Sequence, residues 1–156
     1  MIETEVKILV DEETFDRLYQ GDYRPSSFVV QRNLIYSLGE SFLRLRQEKN
    51  KTILTVKGPR QKGEFNVREE IESRLCANIF EELKKSMPNA FYYEKQRAVA
   101  RMPYCIICFD ILSDGRKYIE LEGIESQVRN YRKRMGLDNY PVEKRSYLEI
   151  LGGKNE

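Results

Sequence analysis

The sequence predicts a mainly β chain of the α+β class, with eight antiparallel strands closing into a barrel decorated by helices. Three observations predict it: apolar and polar residues alternate with period two in eight runs, short turn signals join most of these runs, and helical spacing is confined to three or four segments. The first run sets Ile2, Thr4, Val6 and Ile8 against Glu3, Glu5 and Lys7, which places the two sets on opposite faces of one strand. Residues 11–21 read as a helix, with Asp11 as N-cap, acids in the first turn and Gly21 as the stop. Strands follow at 28–38, 41–49, 52–58 and 64–75, with turns at Gly39-Glu40 and Asn50-Lys51 and a Gly- and Pro-bounded loop at 58–63. Residues 76–87 carry Ala77, Phe80, Leu83 and Met87 at helical spacing and stop at Pro88. Three more strands, 92–102, 105–112 and 116–124, precede a basic amphipathic helix that ends at Gly136. The tail beyond Pro141 is expected to dock on the body as a short strand or helix.

With 156 residues, no internal repeat and no linker, the chain reads as one domain over 1–156. Its 25 acids nearly cancel its 27 bases, so neither a nucleic acid nor a membrane is expected as a partner; either a monomer or a homodimer fits such a chain. No apolar run reaches eighteen residues and the first residues lack a leader pattern, so a soluble cytoplasmic protein is expected. Three cysteines are too few for a disulfide framework. Cys105 and Cys108 lie inside an apolar strand at an odd separation that points them to opposite faces, so both read as buried structural thiols. Histidine is absent, which excludes Ser-His-Asp and Cys-His catalysis, histidine-ligated zinc and a histidine base.

Strand parity sorts the charges onto one face, expected to be the inward one. Seven acids (Glu3, Glu5, Glu70, Glu72, Asp110, Glu120, Glu122) share it with seven bases (Lys7, Arg44, Arg46, Lys57, Arg68, Lys95, Arg97). Any one strand could simply have a solvated face. Across strands, however, like charges recur at i and i+2, roughly 7 Å apart, and they repel unless something of opposite sign lies between them. Glu-x-Glu pairs call for a divalent cation, and the oxygen-only donor set points to Mg²⁺ or Mn²⁺. Arg-x-Arg and Lys-x-Arg pairs call for an anion of several charges. Metal plus a ring of bases suits a phosphate chain, held by side chains because no phosphate-binding glycine loop is present.

These segments resemble the CYTH superfamily, the triphosphate tunnel metalloenzymes. The likeness begins at Glu3-x-Glu5-x-Lys7 and continues through Arg44-x-Arg46, Lys57-Gly58, Arg68-x-Glu70-x-Glu72, Lys95-x-Arg97, Phe109-Asp110, Tyr118-x-Glu120-x-Glu122 and Lys144-Arg145-Ser146-Tyr147. The resemblance implies a tunnel in which Glu3, Glu5, Glu120 and Glu122 are the principal Mg²⁺ or Mn²⁺ ligands. Glu72 and Asp110 are implied at a second, water-activating metal, and Glu70 at either metal or beside Arg68. Lys7, Arg44, Arg46, Lys57, Arg68, Lys95 and Arg97 are implied as a phosphate clamp, with Arg145 and Tyr147 as candidates to close one end. Glu5, Glu72, Asp110 and Lys7 are the implied catalytic groups. Tyr118 reads equally as a substrate contact or as wall filling. Arg129, Arg132, Lys133 and Arg134 read as a solvated stripe rather than an RNA surface.

The expected activity is hydrolysis of a small-molecule triphosphate. Inorganic tripolyphosphate leads because no inserted segment advertises recognition of an organic group. Thiamine triphosphatase and class IV adenylyl cyclase are the enzymatic alternatives, the cyclase demoted by the absent histidine. A polyphosphate or nucleotide sensor is the non-enzymatic one.

Overall fold

Alternation and turn chemistry place all eight strands where they occur. The computed structural model describes residues 2–152, apart from the side chain of Glu3. In chain order the elements are β1 (Ile2–Val10), α1 (Glu12–Tyr19), β2 (Val29–Leu38), β3 (Ser41–Glu48), β4 (Lys51–Lys57) and β5 (Asn66–Leu75). They continue with α2 (Ile79–Ser86), β6 (Phe91–Met102), β7 (Cys105–Leu112), β8 (Lys117–Gly123), α3 (Glu125–Arg134) and α4 (Tyr147–Ile150). The strands close into a ring with neighbour order β1-β5-β4-β3-β2-β6-β7-β8, and every pairing is antiparallel. The turn between β3 and β4 falls at Lys49-Asn50, one residue before its expected place. Glu48 pairs with Lys51, and Lys49 takes the left-handed φ of 52°.

The apolar parity faces outward and is covered by helices. Asp11 caps α1, its Oδ1 accepting from the Thr14 amide at 2.7 Å. The helix lays Phe15 and Leu18 into one cluster with Val6 and Ile8 of β1, Phe109 of β7, and Ile119 and Leu121 of β8. Val128 and Tyr131 of α3 join the same cluster. Across the ring, Phe80 of α2 packs on Leu34 and Leu45. Each such fully buried side chain contributes about 1.5–3 kcal/mol, so the stability of this ring rests largely on its outer surface. Its interior is left to polar and charged groups. The stripe expected on α3 is only partly solvated, because Arg132 is buried and donates to the Tyr140 carbonyl at 2.9 Å and to Glu64 Oε1 at 3.2 Å.

The segment after Pro141 is a strap ending in a helical turn. Ser146 and Glu149 form a capping box at α4. The Glu143 amide donates to the Lys7 carbonyl at 2.7 Å, and Arg60 in the β4–β5 loop donates to the Lys144 carbonyl at 2.7 Å while pairing with Glu149. Tyr147, Leu148 and Ile150 are thereby pressed against Ile35, Phe42, Tyr93, Leu112 and Tyr118, apolar residues that share the inward parity. One end of the ring is stoppered. No helix among the described residues is long and apolar enough to cross a membrane.

Candidate active site

Inside the ring lies a cavity of about 890 Å³ with Tyr147 and Ser146 at one end. Of the charged residues assigned inward by parity, Glu5, Lys7, Arg44, Arg46, Lys57, Arg68, Glu70, Glu72, Lys95, Arg97, Glu120 and Glu122 line it. Closure of the ring explains why strands far apart in sequence contribute to one surface. The lining acids gather on the adjoining strands β8, β1 and β5, where Lys7 and Arg68 also lie, and the other lining bases on β4, β3 and β6 around the remaining wall. Glu3 lies on β1 opposite Arg68 of β5, with its side chain outside the described residues.

Asp110 is fully buried. Its Oδ1 accepts from Arg97 Nε at 2.7 Å; its Oδ2 accepts from Arg97 Nη2 at 2.7 Å, Lys95 Nζ at 2.9 Å and the Tyr147 hydroxyl at 2.7 Å. A carboxylate has about four lone-pair sites, and here four donors occupy them. The structure therefore gives Asp110 the work of orienting Lys95 and Arg97, which corrects its expectation as a ligand of a second, water-activating metal. Glu120 is tied into the same group, 2.6 Å from Arg97 Nη2 and 3.6 Å from Lys95 Nζ. Like-charge repulsion between Lys95 and Arg97 led to the expectation of an anion between them. Two carboxylates of the chain itself stand there instead.

The electrostatics follow from burial and these contacts. Burial disfavours the Glu120 carboxylate, but Arg97, Lys95 and Lys7 outweigh it and hold the group well below the usual carboxylate range. Burial likewise opposes the Arg97 charge, and Asp110 and Glu120 overcome it. At Lys95 burial and the neighbouring Arg97 prevail, bringing the amine down to about 7 against the pull of Asp110 and Glu120. Burial also drives the Tyr147 hydroxyl well above its ordinary value, so it remains a donor to Asp110.

The opposite wall is differently balanced. Among the described residues no carboxylate lies within ion-pair distance of Arg44 or Arg46. Arg46 Nε donates to Asn33 Oδ1 at 2.7 Å, while its Nη2 and the Nε of Arg44 are buried without a hydrogen-bond partner. Burial, then the charges of Arg44 and Arg97, push the Arg46 pKa down. Buried guanidinium donors left without hydrogen-bond partners are costly to keep charged. They suit an incoming polyanion.

Glu5 and Glu122 sit directly opposite each other across the β1–β8 ladder, and Lys7 opposes Glu120. Lys7 Nζ and Lys57 Nζ each approach Glu5 to 3.9 Å, and Lys57 Nζ lies 3.5 Å from Glu70. Among the described residues no group of three acids is arranged to hold a metal ion. Directly opposed carboxylates with oxygen-only donors fit Mg²⁺ or Mn²⁺ in the way such ions usually sit, on one or two carboxylates with substrate phosphates and water completing the shell. Glu72 is exposed on the rim of the cavity.

The closed eight-stranded fold has counterparts among known proteins. The sequence profile of the CYTH domain matches residues 1–133. The chain belongs to the CYTH family. Solved structures show the same CYTH fold. The PH1819 protein of Pyrococcus horikoshii OT3 superposes with a TM-score of 0.80 at 22% identity over 96% of this chain and 97% of that one. A Hippeastrum protein described as a putative adenylyl cyclase with a dominant triphosphatase activity gives 0.72 at 18% identity, over 98% and 96% of the two chains. A putative adenylate cyclase of Bacillus halodurans gives 0.67 at 21%, over 97% of each. No protein with a curated description matches the chain by sequence.

Arg145 is the expected clamp residue that this CYTH ring does not bring inward. Its exposed guanidinium pairs with Glu143 at 2.5 Å, and only its carbonyl reaches the site, accepting from Lys7 Nζ at 2.8 Å. Tyr147 closes the end, its ring 4.3 Å from Lys7 Nζ and 4.1 Å from Lys95 Nζ. Tyr118 fills the wall, edge-on to Tyr147 at 5.5 Å. Two polar residues of β2 were not foreseen. Asn33 holds Arg46, and Gln31 is buried with Nε2 donating to Glu48 at 3.0 Å. Their uncharged side chains give no parity signal. The thiols face apart as expected: Cys105 joins the outer cluster, while Cys108 lies inside near Arg97 and Glu120, and burial raises both, Cys105 to about 11.

Proposed function

We propose that this CYTH protein hydrolyses a terminal phosphoanhydride bond of a triphosphate, with Mg²⁺ or Mn²⁺ held by Glu5 and Glu122 and, by its place on β1, Glu3. The observation that carries the reading is the pair Arg44 and Arg46, whose buried guanidinium donors lack partners and face the cavity. A phosphate chain supplies the oxygens those donors lack, and charge-assisted bonds of this kind are the strong ones. Inorganic tripolyphosphate is the smallest substrate that satisfies them.

The division of labour follows from the geometry. Arg44, Arg46 and Arg68 line the cavity as donors for non-bridging oxygens, and Lys7 and Lys57 stand between the basic wall and Glu5. Asp110 and Glu120 preset Lys95 and Arg97, so no reorganisation is needed when charge develops on the phosphoryl group. The divalent ion, when bound, supplies charge neutralisation and a more acidic water. Glu72, on the rim, is positioned to accept a proton from water entering there. With phosphoryl transfer dominated by positioning and electrostatics, a site without histidine suffices.

The test is incubation of the protein with Mg²⁺ or Mn²⁺ and, separately, tripolyphosphate, thiamine triphosphate and ATP, measuring phosphate, pyrophosphate and cyclic AMP. Phosphate release from at least one of them is expected. Stoichiometric cyclic AMP and pyrophosphate from ATP would replace hydrolysis with cyclisation. No turnover with either metal would leave a binding protein.

A further inference from the structure

The β1–β5 seam of the ring carries a buried amide. Asn66 opens β5 and lies directly opposite Glu5, which in turn faces Glu122 across the β1–β8 ladder. Three oxygen-bearing side chains thus form one row over three adjoining strands, and all three line the cavity. Neighbouring strands lie about 4.8 Å apart, so the row spans roughly 10 Å, and the curvature of a closed ring tips its inward side chains toward one another.

The residues on either side hold Asn66 inward. Phe65 is buried in the outer apolar cluster, with the Arg129 guanidinium 4.5 Å from its ring centroid, and Val67 shares that outward parity. Asn66 itself is only 6% exposed. Its Nδ2 donates to the Lys144 carbonyl at 3.4 Å, and because a carbonyl only accepts, that contact fixes which end of the amide is which. The remaining Oδ1 is buried with no hydrogen-bond partner among the described residues. Lys7 and Lys57 approach Glu5, yet neither donates to this oxygen. Asparagine is a poor strand former, and a buried acceptor without a donor is destabilising. Folding alone does not account for it.

We infer that Asn66 Oδ1 is a further protein ligand of the divalent ion, beside Glu5 and Glu122. The inference rests on the metal-dependent reading of this site and adds a donor to it. Carboxylate and amide carbonyl oxygens are the hard donors that Mg²⁺ and Mn²⁺ take. Two carboxylates already balance the charge of such an ion. An amide oxygen adds a third point of attachment without a third negative charge, so the ion keeps its attraction for the phosphate oxygens that complete its shell. The strap supports the ligand from behind: the Lys144 carbonyl that holds Nδ2 also accepts from Arg60 at 2.7 Å, and outer contacts of this kind orient a metal ligand.

The test needs no turnover. Mn²⁺ binding to the full chain is followed by the electron paramagnetic resonance signal of the free ion, in the parent, Asn66→Ala and Asn66→Asp, with calorimetry of tripolyphosphate in EDTA alongside. Loss of the oxygen in Asn66→Ala is expected to weaken Mn²⁺ about ten-fold and to leave tripolyphosphate within about two-fold. Asn66→Asp keeps an oxygen in the same place and adds charge, so it should bind Mn²⁺ at least as tightly as the parent, a result that damage to the fold cannot produce. Unchanged Mn²⁺ affinity in Asn66→Ala overturns the ligand. So does an Asn66→Asp variant that weakens as far as Asn66→Ala, which would place the value of the amide in its bond to the strap. An equal loss of tripolyphosphate affinity in EDTA also overturns it, because Asn66 would then serve the anion. A parent that binds no Mn²⁺ removes the metal centre and this ligand with it. The expected Mn²⁺ pattern in a parent that turns over no triphosphate upholds the ligand and refutes hydrolysis alone.

Discussion

The Tyr147 hydroxyl donates to Oδ2 of Asp110 at 2.7 Å, joining a helical turn beyond the barrel to the most deeply buried carboxylate of its lumen. That bond couples the stopper to the clamp, because the same oxygen accepts from Lys95 and Arg97. Tyr147→Phe keeps the ring over both lysines and deletes one donor to a buried charge. The expected cost is about 1–3 kcal/mol, read as a lower urea midpoint with unchanged slope. An unchanged midpoint would show that the bond contributes nothing.

Arg46 illustrates a trade between stability and affinity. It is buried with no carboxylate partner, and Arg44 and Arg97 add repulsion. Arg46→Met should raise stability by about 1 kcal/mol, since removing an uncompensated buried charge outweighs the lost bond to Asn33. Calorimetric affinity for tripolyphosphate should fall on the order of 100-fold through loss of charge-assisted bonds. A variant that is both less stable and equally avid would contradict this account of the basic wall.

Glu122 faces Glu5 across the β1–β8 ladder. Glu122→Gln relieves a like-charge contact, so the melting temperature should hold or rise slightly. Mg²⁺- or Mn²⁺-dependent turnover should drop by about 100-fold or more, on the scale of changes at metal sites. Tripolyphosphate binding measured in EDTA should be preserved or strengthened. If binding in EDTA falls as far as turnover does, Glu122 serves the anion and not a metal.

Lys95 should give the molecule a pH signature. Its folded-state amine lies near 7, against roughly 10.4 in an unfolded chain. The unfolded state therefore binds more protons between those values, and the Lys95 contribution to stability rises with pH across that window. Below about 7 the penalty for charging Lys95 is fully present. Denaturation midpoints taken from pH 7 to 10 should climb more steeply in the parent than in Lys95→Met. A parallel pair of curves would mean that Lys95 stays charged throughout.

How much of this was legible before folding depends on the residue. Val6 and Ile8 opposite Glu5 and Lys7 make β1 readable from alternation alone, and the same holds for Arg44 and Arg46 against Leu43 and Leu45 on β3. Parity also brings Asp110 inside. It could not tell that Asp110 spends its lone pairs on Arg97, Lys95 and Tyr147, because those partners come from β6 and from α4, 37 residues away in the case of Tyr147. β2 was readable as a strand but not as part of the site, since its inward Asn33 is neutral and Ile35 apolar.

The strap through Arg60, Lys144 and Glu149 sets the order in which the site can be assembled during synthesis. The ring closes only when β8 reaches β1, and its floor is laid only when Tyr147 follows about two dozen residues later. A nascent chain emerging from the ribosome holds β1 to β7 before either event, with the Lys95–Asp110–Arg97 charges still open to water. The phosphate binding proposed for this lumen therefore waits on two late steps in turn, closure by β8 and then the Tyr147 floor, after most of the lining strands have been made.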